Sequence, residues 1–310
     1  MATTLFAQAY APYLALGVGD LGGRAAAAGC LDGFGEKLLW AACDTQSSRL
    51  LATGLERKVR LEVPRALRPD FVAAALKRHD PQFQRLVRKK ELLVLFGSIE
   101  EPILLPLCAA LGQQLGTGGR GVCAIGLEPL LAEESPAVAA PAGVDLFMRL
   151  SAARRAARLG PDASAARMAR LGEETLSVAV EALLGALVGC DSAPGFTFDE
   201  LREFLRGGAI RSLVGAAHGP AGVLSAFEEA LNDSLPDPGF GTALALSAGR
   251  EFSVNEVRSI RARLAEVRGA AAPVLLGFGT DPALGEEARC LLMCRPVSSR
   301  NVIPLSRCPV

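Results

Sequence analysis

The sequence lacks an excess of charge of either sign, because its 33 lysine and arginine residues match its 33 aspartate and glutamate residues. A protein whose main partner is a nucleic-acid backbone needs a clear basic excess or a basic stripe. The balance therefore argues against nucleic acid as a partner. It also removes charge repulsion between copies as a safeguard against self-association.

The chain is also poor in the residues that build metal, redox and hydrolase sites. His79 and His218 are its only histidines, none of its eight cysteines forms a C-x-x-C pair, and no serine lies in a G-x-S-x-G motif. Zinc sites and serine-hydrolase elbows depend on those spacings. We therefore expect reduced, buried cysteines, a solvated His79, a turn at His218, and no metal.

Signals for export and membrane insertion are missing as well. The N-terminal segment has no basic region of the kind that opens a signal peptide. The longest apolar run, Leu176 to Cys190, is interrupted by Glu181 and is too short to span a bilayer. We expect a soluble, cytoplasmic protein.

What the chain does have is apolar material, since half of its 310 residues are hydrophobic. That length predicts about two domains with a large core. In the first half, short apolar runs alternate with helical patterns, and this alternation predicts a parallel sheet with helices on both faces. The predicted strands are Tyr13–Gly17, Leu38–Cys43, Leu92–Phe96 and Gly121–Ile125, and the predicted helices are Arg24–Cys30 and Leu104–Leu115.

A helix that is apolar nearly all round follows at Leu171 to Gly189, which predicts a buried position. Beyond it the pattern changes to that of an α+β domain. Ser253 and Glu256 have the spacing of a capping box at the start of one helix. The predicted helices are Phe198–Leu205, Val223–Leu231 and Ser253–Arg268, and the predicted strands are Gly241–Ser247, Pro273–Gly279 and Ala288–Cys294.

Four stretches carry a resemblance to a known family. Gly17 to Arg24 reads GVGDLGGR, a glycine-rich turn between a strand and a helix, and Ala41 to Gln46 reads AACDTQ. Gly195 to Gly222 resembles the family's synergy loop and the helix after it. Gly249 to Cys294 gives the best match, with a helix, a strand ending in G-x-G and a D-P-x-L-G-E-E-x-R turn. On these motifs the sequence resembles the FtsZ/tubulin superfamily, most closely its prokaryotic FtsZ-like branch.

The resemblance implies an α/β fold of the tubulin/FtsZ type, with an N-terminal Rossmann-like parallel sheet domain, a central buried helix and a C-terminal α+β domain. The expected divisions are a degenerate GTPase-like nucleotide-binding domain at 1–170, a core helix at 171–190, the α+β domain at 191–297 and a short tail at 298–310.

The resemblance also implies where a nucleotide would bind. Gly19, Gly22 and Gly23 correspond to a first phosphate loop, in which backbone N–H groups approach phosphates. Glu173, near the start of the buried helix, corresponds to the residue that reads guanine. We expect these four positions to be vestigial cofactor-binding residues.

The chain departs from the family where the family does its chemistry. After the third predicted strand, the glycine-rich signature loop is replaced by Gly97 to Pro102 (GSIEEP), so that two carboxylates, Glu100 and Glu101, stand where a polyanion should rest. In the synergy loop, Thr197 and Glu200 align with the acidic pair that orients the attacking water. We therefore assign no catalytic residue and expect no bound cofactor.

The leading expectation is an FtsZ-like cytoskeletal or assembly protein that does not hydrolyse GTP. Subunits stacked head to tail make a heterologous contact and give filaments or a scaffold. We expect an exposed acidic loop of one copy to face a basic helix of the next. The expected interface residues are Glu100, Glu101, Phe198, Glu200, Arg202 and Arg206.

Alternatives remain open. One is a divergent GTPase that still binds GTP or GDP through Gly19, Gly22, Gly23 and Glu173. Another is a non-polymerising adaptor of a conventional FtsZ or of a membrane-associated protein. The resemblance to divergent FtsZ-like groups implies a role in membrane remodelling, with the protein recruited to the membrane. The arginines between Arg149 and Arg170 are expected to form one solvated helix face, a candidate surface for an acidic or lipid partner.

Overall fold

The structure is a computed structural model that describes residues 11–29, 37–62, 68–79, 87, 90–115, 121–130, 138–160, 162–188, 195–205, 210–232, 240–269 and 272–296. Within these ranges one ten-stranded sheet runs through both halves of the chain. The strands are β1 (Tyr13–Val18), β2 (Leu38–Asp44), β3 (Lys58–Arg60), β4 (Leu92–Ser98), β5 (Gly121–Leu127), β6 (Leu146–Leu150), β7 (Ile210–His218), β8 (Phe240–Ala248), β9 (Val274–Thr280) and β10 (Glu287–Pro296).

The strand order is β3-β2-β1-β4-β5-β6-β7-β10-β8-β9. Strands β3 to β7 in this order pair in parallel, β10 is antiparallel to both of its neighbours, and β8 pairs with β9 in parallel. The carboxyl ends of β1 to β6 therefore meet at one edge of the sheet, which we call the carboxyl edge. Their other ends form the amino edge.

The helices connect and cover these strands. They are α1 (Gly19–Gly29), α2 (Ser47–Ala52), α3 (Pro69–His79), α4 (Leu104–Leu115), α5 (Ala153–Arg158), α6 (Ala165–Val188), α7 (Phe198–Leu205), α8 (Gly222–Asn232) and α9 (Val254–Arg268), with a 3₁₀ turn at Pro282–Leu284. The capping box at the start of α9 is confirmed, with Ser253 and Glu256 bonded reciprocally.

The parallel strands are apolar on both faces because both faces are covered, as expected for a parallel sheet. On one face α1 and α6 pack in a single core that extends from Trp40 in the first half to Leu291 in the second. On the other face α3 and α4 cover the N-terminal strands. A third core lies under α8 and α9. The predicted parallel sheet with helices on both faces is confirmed.

The predicted buried helix is also confirmed, since most of α6 from Leu171 to Ala186 is buried. Its interrupting charge, Glu181, is 1% exposed and forms an ion pair with Arg289 of β10. Three strands were not predicted, namely β3, β6 and β7. The segment expected to be a loop followed by one helix contains both α7 and β7. The division into separate domains stays a prediction.

The cysteines that the structure describes are all buried and unbonded. Burial raises the pKa of the thiols of Cys43, Cys108 and Cys123. No helix among the described residues is long and apolar enough to cross a membrane.

Candidate functional site

A topological switch point lies between β1 and β4. From β1 the sheet grows outward through β2 and β3, and from β4 it grows in the opposite direction through β5 and β6. In open parallel sheets such a point leaves a crevice at the carboxyl edge, and ligands bind there. The segments that follow β1 and β4, namely the start of α1 and residues 99–103, line this crevice.

Helix α1 begins directly after β1, and glycines permit the close turn. A Cβ on Gly17 would overlap the carbonyl of Gly22, and a Cβ on Gly22 would overlap the carbonyl of Phe96. Gly19 has a φ of 75°, a conformation that disfavours other residues. The first amide groups of α1 are therefore presented at the switch point, where a helix N-terminus attracts anions.

The glycine-rich stretch from Gly17 to Arg24 was expected to be a turn followed by a helix from Arg24, but the helix already starts at Gly19. Gly22 and Gly23 lie within the helix and serve packing. A Cβ on Gly23 would come 3.1 Å from Cγ2 of Thr53, beyond the end of α2.

The amides at the start of α1 are occupied by a side chain of the protein itself. The backbone N–H of Asp20 donates to Oε2 of Glu101 at 3.0 Å, and that of Leu21 donates to Oε1 at 3.1 Å. Both carboxylate oxygens are thus used. A Cβ on Gly19 would overlap this carboxylate. The geometry is that of an anion bound at a helix N-terminus, with the anion supplied by the loop after β4.

The surroundings of Glu101 disfavour its charge. Burial is the main cause that raises the pKa of this carboxyl group, and the nearby charge of Asp44 raises it further. The two N–H donors and the charge of Arg49 lower it, but they do not cancel the effect of burial. The expectation that the acidic loop is exposed is therefore wrong for Glu101, which is half-buried, whereas Glu100 is exposed.

Local hydrogen bonds hold the loop in this form. The N–H of Glu100 donates to Oγ of Ser98 at 3.2 Å, and that of Glu101 donates to the Ser98 carbonyl at 3.1 Å. Ile99 is fixed to β5 through the carbonyl of Leu127 at 2.9 Å. These bonds orient the side chain of Glu101 toward α1.

The predicted base-reading residue is also engaged by the protein itself. Oε2 of Glu173 lies 3.4 Å from Nε of Arg24, whose Nη1 lies 2.6 Å from Oδ2 of Asp20. Arg24 therefore bridges α1 and α6 beside the switch point. The sequence reasoning missed Arg24, although its spacing four residues after Asp20 is a recognised signal for a helical ion pair.

Asp44, at the end of β2, was not predicted as a site residue either. It is 1% exposed, and its Oδ1 accepts the N–H of Gln46 at 3.0 Å. Its Oδ2 accepts no hydrogen bond within the described part of the chain, and the nearest cation, Nη1 of Arg49, is at 3.8 Å. A buried carboxylate oxygen without a hydrogen-bond donor is uncommon, and the guanidinium of Arg49 is the positive charge beside it.

The predicted synergy-loop residues lie at the amino edge, on α7. Thr197 and Glu200 form a capping box, in which the Thr197 N–H donates to Glu200 at 2.8 Å and the Glu200 N–H donates to Oγ1 of Thr197 at 3.2 Å. The T-x-x-E spacing could have revealed this from the sequence. The carboxylate of Glu200 is thereby used to begin the helix.

The other predicted interface residues on α7 are partly engaged within the chain. Phe198 is half-buried against Gly121, the first residue of β5. Nη2 of Arg202 lies 2.8 Å from Asp199, and its Nη1 lies 3.5 Å from Asp145, just before β6. Arg206 lies outside the described residues. The carboxyl-edge loop and α7 thus occupy opposite edges of the sheet.

The arginines from Arg149 to Arg170 do not form one solvated helix face, so that prediction is wrong. Arg149 is on β6, with Nη2 2.5 Å from Glu128. Arg155 lies 3.7 Å from Glu229 of α8 and donates to Oγ1 of Thr175 at 3.2 Å. These two side chains tie elements together. His218 was expected to be a turn residue, but it is the last residue of β7, and the turn begins after it at Gly219.

The donor groups at the switch point suit an anion rather than a metal. Among the residues that the structure describes, no three His, Cys, Asp or Glu side chains are placed to hold a metal ion. The amides that would hold a nucleotide phosphate are filled by Glu101, and a second anion beside it would be repelled. As folded here, the residues do not fit a nucleotide phosphate.

Comparison with known proteins identifies solved structures that share this architecture. No family model and no curated protein matches the chain. A point mutant of FtsZ from M. jannaschii is 16% identical with a TM-score of 0.72, covering 96% of this chain and 95% of that one. An empty FtsZ dimer from the same organism is 15% identical with a TM-score of 0.71, covering 94% and 89%.

A solved structure of a CetZ protein is similar as well. CetZ2 from Haloferax volcanii, in a GTPγS-bound protofilament, is 16% identical with a TM-score of 0.60, covering 93% of each chain. The chain therefore has the tubulin/FtsZ fold over nearly its whole length. This confirms the fold class that the sequence motifs implied.

Proposed function

We propose that this protein is an FtsZ-like cytoskeletal or scaffold protein that assembles head to tail without binding or hydrolysing GTP. The observation that carries the proposal is the carboxylate of Glu101 on the amides of Asp20 and Leu21, at the switch point where this fold places a ligand. The loss of the glycine-rich signature loop supports the same conclusion, because few free amides remain to hold a phosphate.

Two further contacts support it. Glu173, the residue that would read guanine, is held by Arg24. Glu200, which aligns with a residue that orients water in the family, instead caps α7. Each contact uses a functional group that an active GTPase would need free.

Self-assembly is supported by the fold and by the chain's neutral charge balance. Two of the similar structures are an FtsZ dimer and a CetZ2 protofilament. A contact between the carboxyl edge of one copy and the amino edge of the next is heterologous and extends into a filament. Membrane remodelling is the process we propose for such a scaffold, on the resemblance to divergent FtsZ-like proteins alone.

Sedimentation and electron microscopy with and without GTP test this function. We expect concentration-dependent pelleting and filaments or sheets whose amount does not change with GTP. A strict monomer at every concentration would overturn the assembly proposal. Assembly that requires GTP would instead favour a divergent GTPase, and co-assembly only with a conventional FtsZ would favour an adaptor.

A further inference from the structure

Within the described residues, the two outermost strands of the sheet are β3 and β9, and each pairs with a neighbour on one side only. β3 spans three residues, of which Lys58 and Arg60 are charged. A short, charged strand is one way in which proteins prevent an unpaired side from pairing with other chains. β9 spans seven residues, and no charged residue occurs from Gly269 to Thr280. The long side of β9 that does not face β8, which we call the free side of β9, therefore lacks that protection.

Alternate residues of β9 direct their backbone groups toward its free side. The N–H of Thr242 in β8 donates to the carbonyl of Pro273, just before β9, at 3.0 Å. In this parallel register the odd-numbered residues of β9 bond to β8, and the N–H and C=O groups of the even-numbered ones point outward. Among the described residues no strand pairs with these outward groups. They belong to Val274, Leu276, Phe278 and Thr280.

Both faces of β9 are held in place by the rest of the protein. A Cβ on Gly279 would overlap the backbone of Gly185 in α6. A Cβ on Gly277 would lie 2.4 Å from the ring of Phe196. On the other face Phe278 is buried in the core under α8 and α9. The strand is therefore preformed, and its backbone loses little conformational entropy when another strand pairs with it.

The sequence of β9, VLLGFGT, is complementary to itself in the antiparallel direction. With Gly277 opposite Gly277 of a second copy, each outward-pointing residue lies opposite another one, as in the hydrogen-bonded pairs of an antiparallel ladder. Leu276 then lies opposite Phe278 of the second copy, and an aliphatic–aromatic pair of this kind stabilises a sheet. Val274 lies opposite Thr280. This register pairs all of the outward backbone groups of β9 and places no charge in the contact.

We propose that the free side of β9 is a self-association surface, on which two copies of the chain pair their β9 strands antiparallel about a twofold axis at Gly277. Such a contact is isologous and closes on itself. The balanced charge of the chain adds no net repulsion between the copies. The inference goes beyond the proposed function, because this contact lies along the side of the sheet, whereas head-to-tail assembly uses the carboxyl and amino edges. Together the two contacts join filaments in pairs of opposite direction.

Hydrogen exchange of the wild-type chain tests the pairing without any substitution, and β9 provides its own control. The amides of Leu275, Gly277 and Gly279 bond to β8 and should be protected at every protein concentration. The amides of Val274 and Leu276 should exchange rapidly in dilute protein and at least about 10-fold more slowly once the copies pair. Rapid exchange of these two amides at every concentration would overturn the proposal. Their protection in a dilute monomer would overturn it as well, because another segment of the same chain would then cover β9.

A mixture of two cysteine variants tests the register. In the proposed pair, Val274 lies opposite Thr280 of the second copy at a Cα separation of about 5.5 Å, which suits a disulfide. Val274→Cys mixed with Thr280→Cys should therefore form a cross-linked dimer under mild oxidation. Each variant alone is the control, because its new cysteine lies opposite an unchanged residue and the native cysteines are the same. A mixture that gives no more cross-linked dimer than the controls would overturn the proposed pairing.

Leu276→Lys tests the effect on assembly. The twofold axis brings the two lysines into one contact, where they repel each other. In sedimentation velocity below the concentration at which the protein pellets, we expect the dimer dissociation constant to rise at least about 10-fold, which corresponds to about 1.4 kcal/mol. Phe71→Lys is the matched control, since Phe71 is 40% exposed on α3, at the opposite end of the sheet, and it should pair like the wild type. Equal weakening in both variants would overturn the proposal.

Electron microscopy then distinguishes this inference from the proposed function. We expect paired filaments from the wild type and single filaments from Leu276→Lys. Single wild-type filaments without dimers would overturn the pairing and leave head-to-tail assembly intact. Wild-type dimers that never extend into filaments would support the pairing and refute the proposed function.

Discussion

The carboxylate of Glu101 lies so close to Gly19 that no larger residue fits at position 19, because a Cβ there would overlap the carboxylate. The left-handed φ of 75° at Gly19 adds a conformational cost for any other residue. Gly19 follows β1, and Glu101 follows β4. The hydrogen bond from the next residue, Asp20, to Glu101 joins residues 81 positions apart in the chain. The close contact between Gly19 and the Glu101 carboxylate determines which group lies at the switch point.

Gly19→Ala tests this fit through stability. Left-handed strain alone costs about 1 kcal/mol, and displacing Glu101 from two amides adds to it. We therefore expect the free energy of unfolding to fall by about 2 kcal/mol or more in urea titrations. Gly54→Ala is the matched control, since Gly54 has a φ of 70° and nothing within 4 Å of its missing Cβ. Equal losses in the two variants would show that the contact with Glu101 does not matter.

The raised pKa of Glu101 predicts a pH-dependent stability. When folding raises the pKa of a carboxyl group, the stabilisation is fully present below the unfolded pKa and is lost as pH rises through the folded pKa. The groups that face Glu101 are the amides at the start of α1, Asp44 of β2 and Arg49 of α2, and burial outweighs them.

Comparison with Glu101→Gln measures this effect. Between mildly acidic and neutral pH, the wild type should lose unfolding free energy relative to Glu101→Gln, since the amide does not titrate. Glu100→Gln serves as the control and should track the wild type across the same range, because Glu100 is exposed. A constant difference between the wild type and Glu101→Gln would mean that burial does not destabilise the charged form.

Glu181 of α6 and Arg289 of β10 form a buried ion pair, and we expect the loss of one partner to lower the free energy of unfolding more than the loss of the other. Arg289 also lies 2.8 Å from Glu287, whereas Glu181, at 1% exposed, has only Ser177 as a further described hydrogen-bond partner. Removing one partner of a buried pair costs about 3–5 kcal/mol. Arg289→Met should therefore destabilise more than Glu181→Leu, and the double variant should recover part of the loss. Equal single costs with no recovery would contradict this description.

Substitution of Glu100 tests the predicted contact between copies without disturbing the hydrogen bonds between Glu101 and α1. If the loop after β4 faces the α7 side of the next copy, Glu100→Lys should reduce pelleting, and added salt should reduce wild-type assembly as well. Exposed pairs contribute only about 0.2–1 kcal/mol, so the effect should be a shift in critical concentration rather than complete loss. Glu266→Lys on α9, away from that loop, is the control. Unchanged assembly in Glu100→Lys would place the loop outside the interface.

Much of the fold could be predicted from the sequence because periodicity reports burial. The parallel strands are continuous apolar runs, and α4, α6, α7 and α9 were anticipated from their spacing. Strands β6 and β7 were missed because they carry charge. Arg149 interrupts β6, and its partner Glu128 becomes visible only in three dimensions. The missed β3 spans just three residues, Lys58–Arg60.

The position of a ligand site at the switch point stays a prediction, whereas the contacts of its residues could not be predicted from the sequence. The glycines of Gly17 to Gly22 indicated an anion-binding turn, and the acidic loop indicated that a phosphate would be repelled. The sequence could not show that Glu101 turns inward while Glu100 stays exposed, since adjacent acids look alike. That difference depends on hydrogen bonds that Ser98 accepts from the loop and that the amides of α1 donate to Glu101, which only the folded chain brings together.

The most direct test of the account is calorimetric titration of GTP into the wild-type protein under conditions where it assembles. We predict no measurable binding, together with pelleting that is unchanged by GTP, because the side chain of Glu101 already occupies the amides of Asp20 and Leu21. Binding of GTP in the micromolar range would contradict the account and would restore the divergent GTPase as the better description.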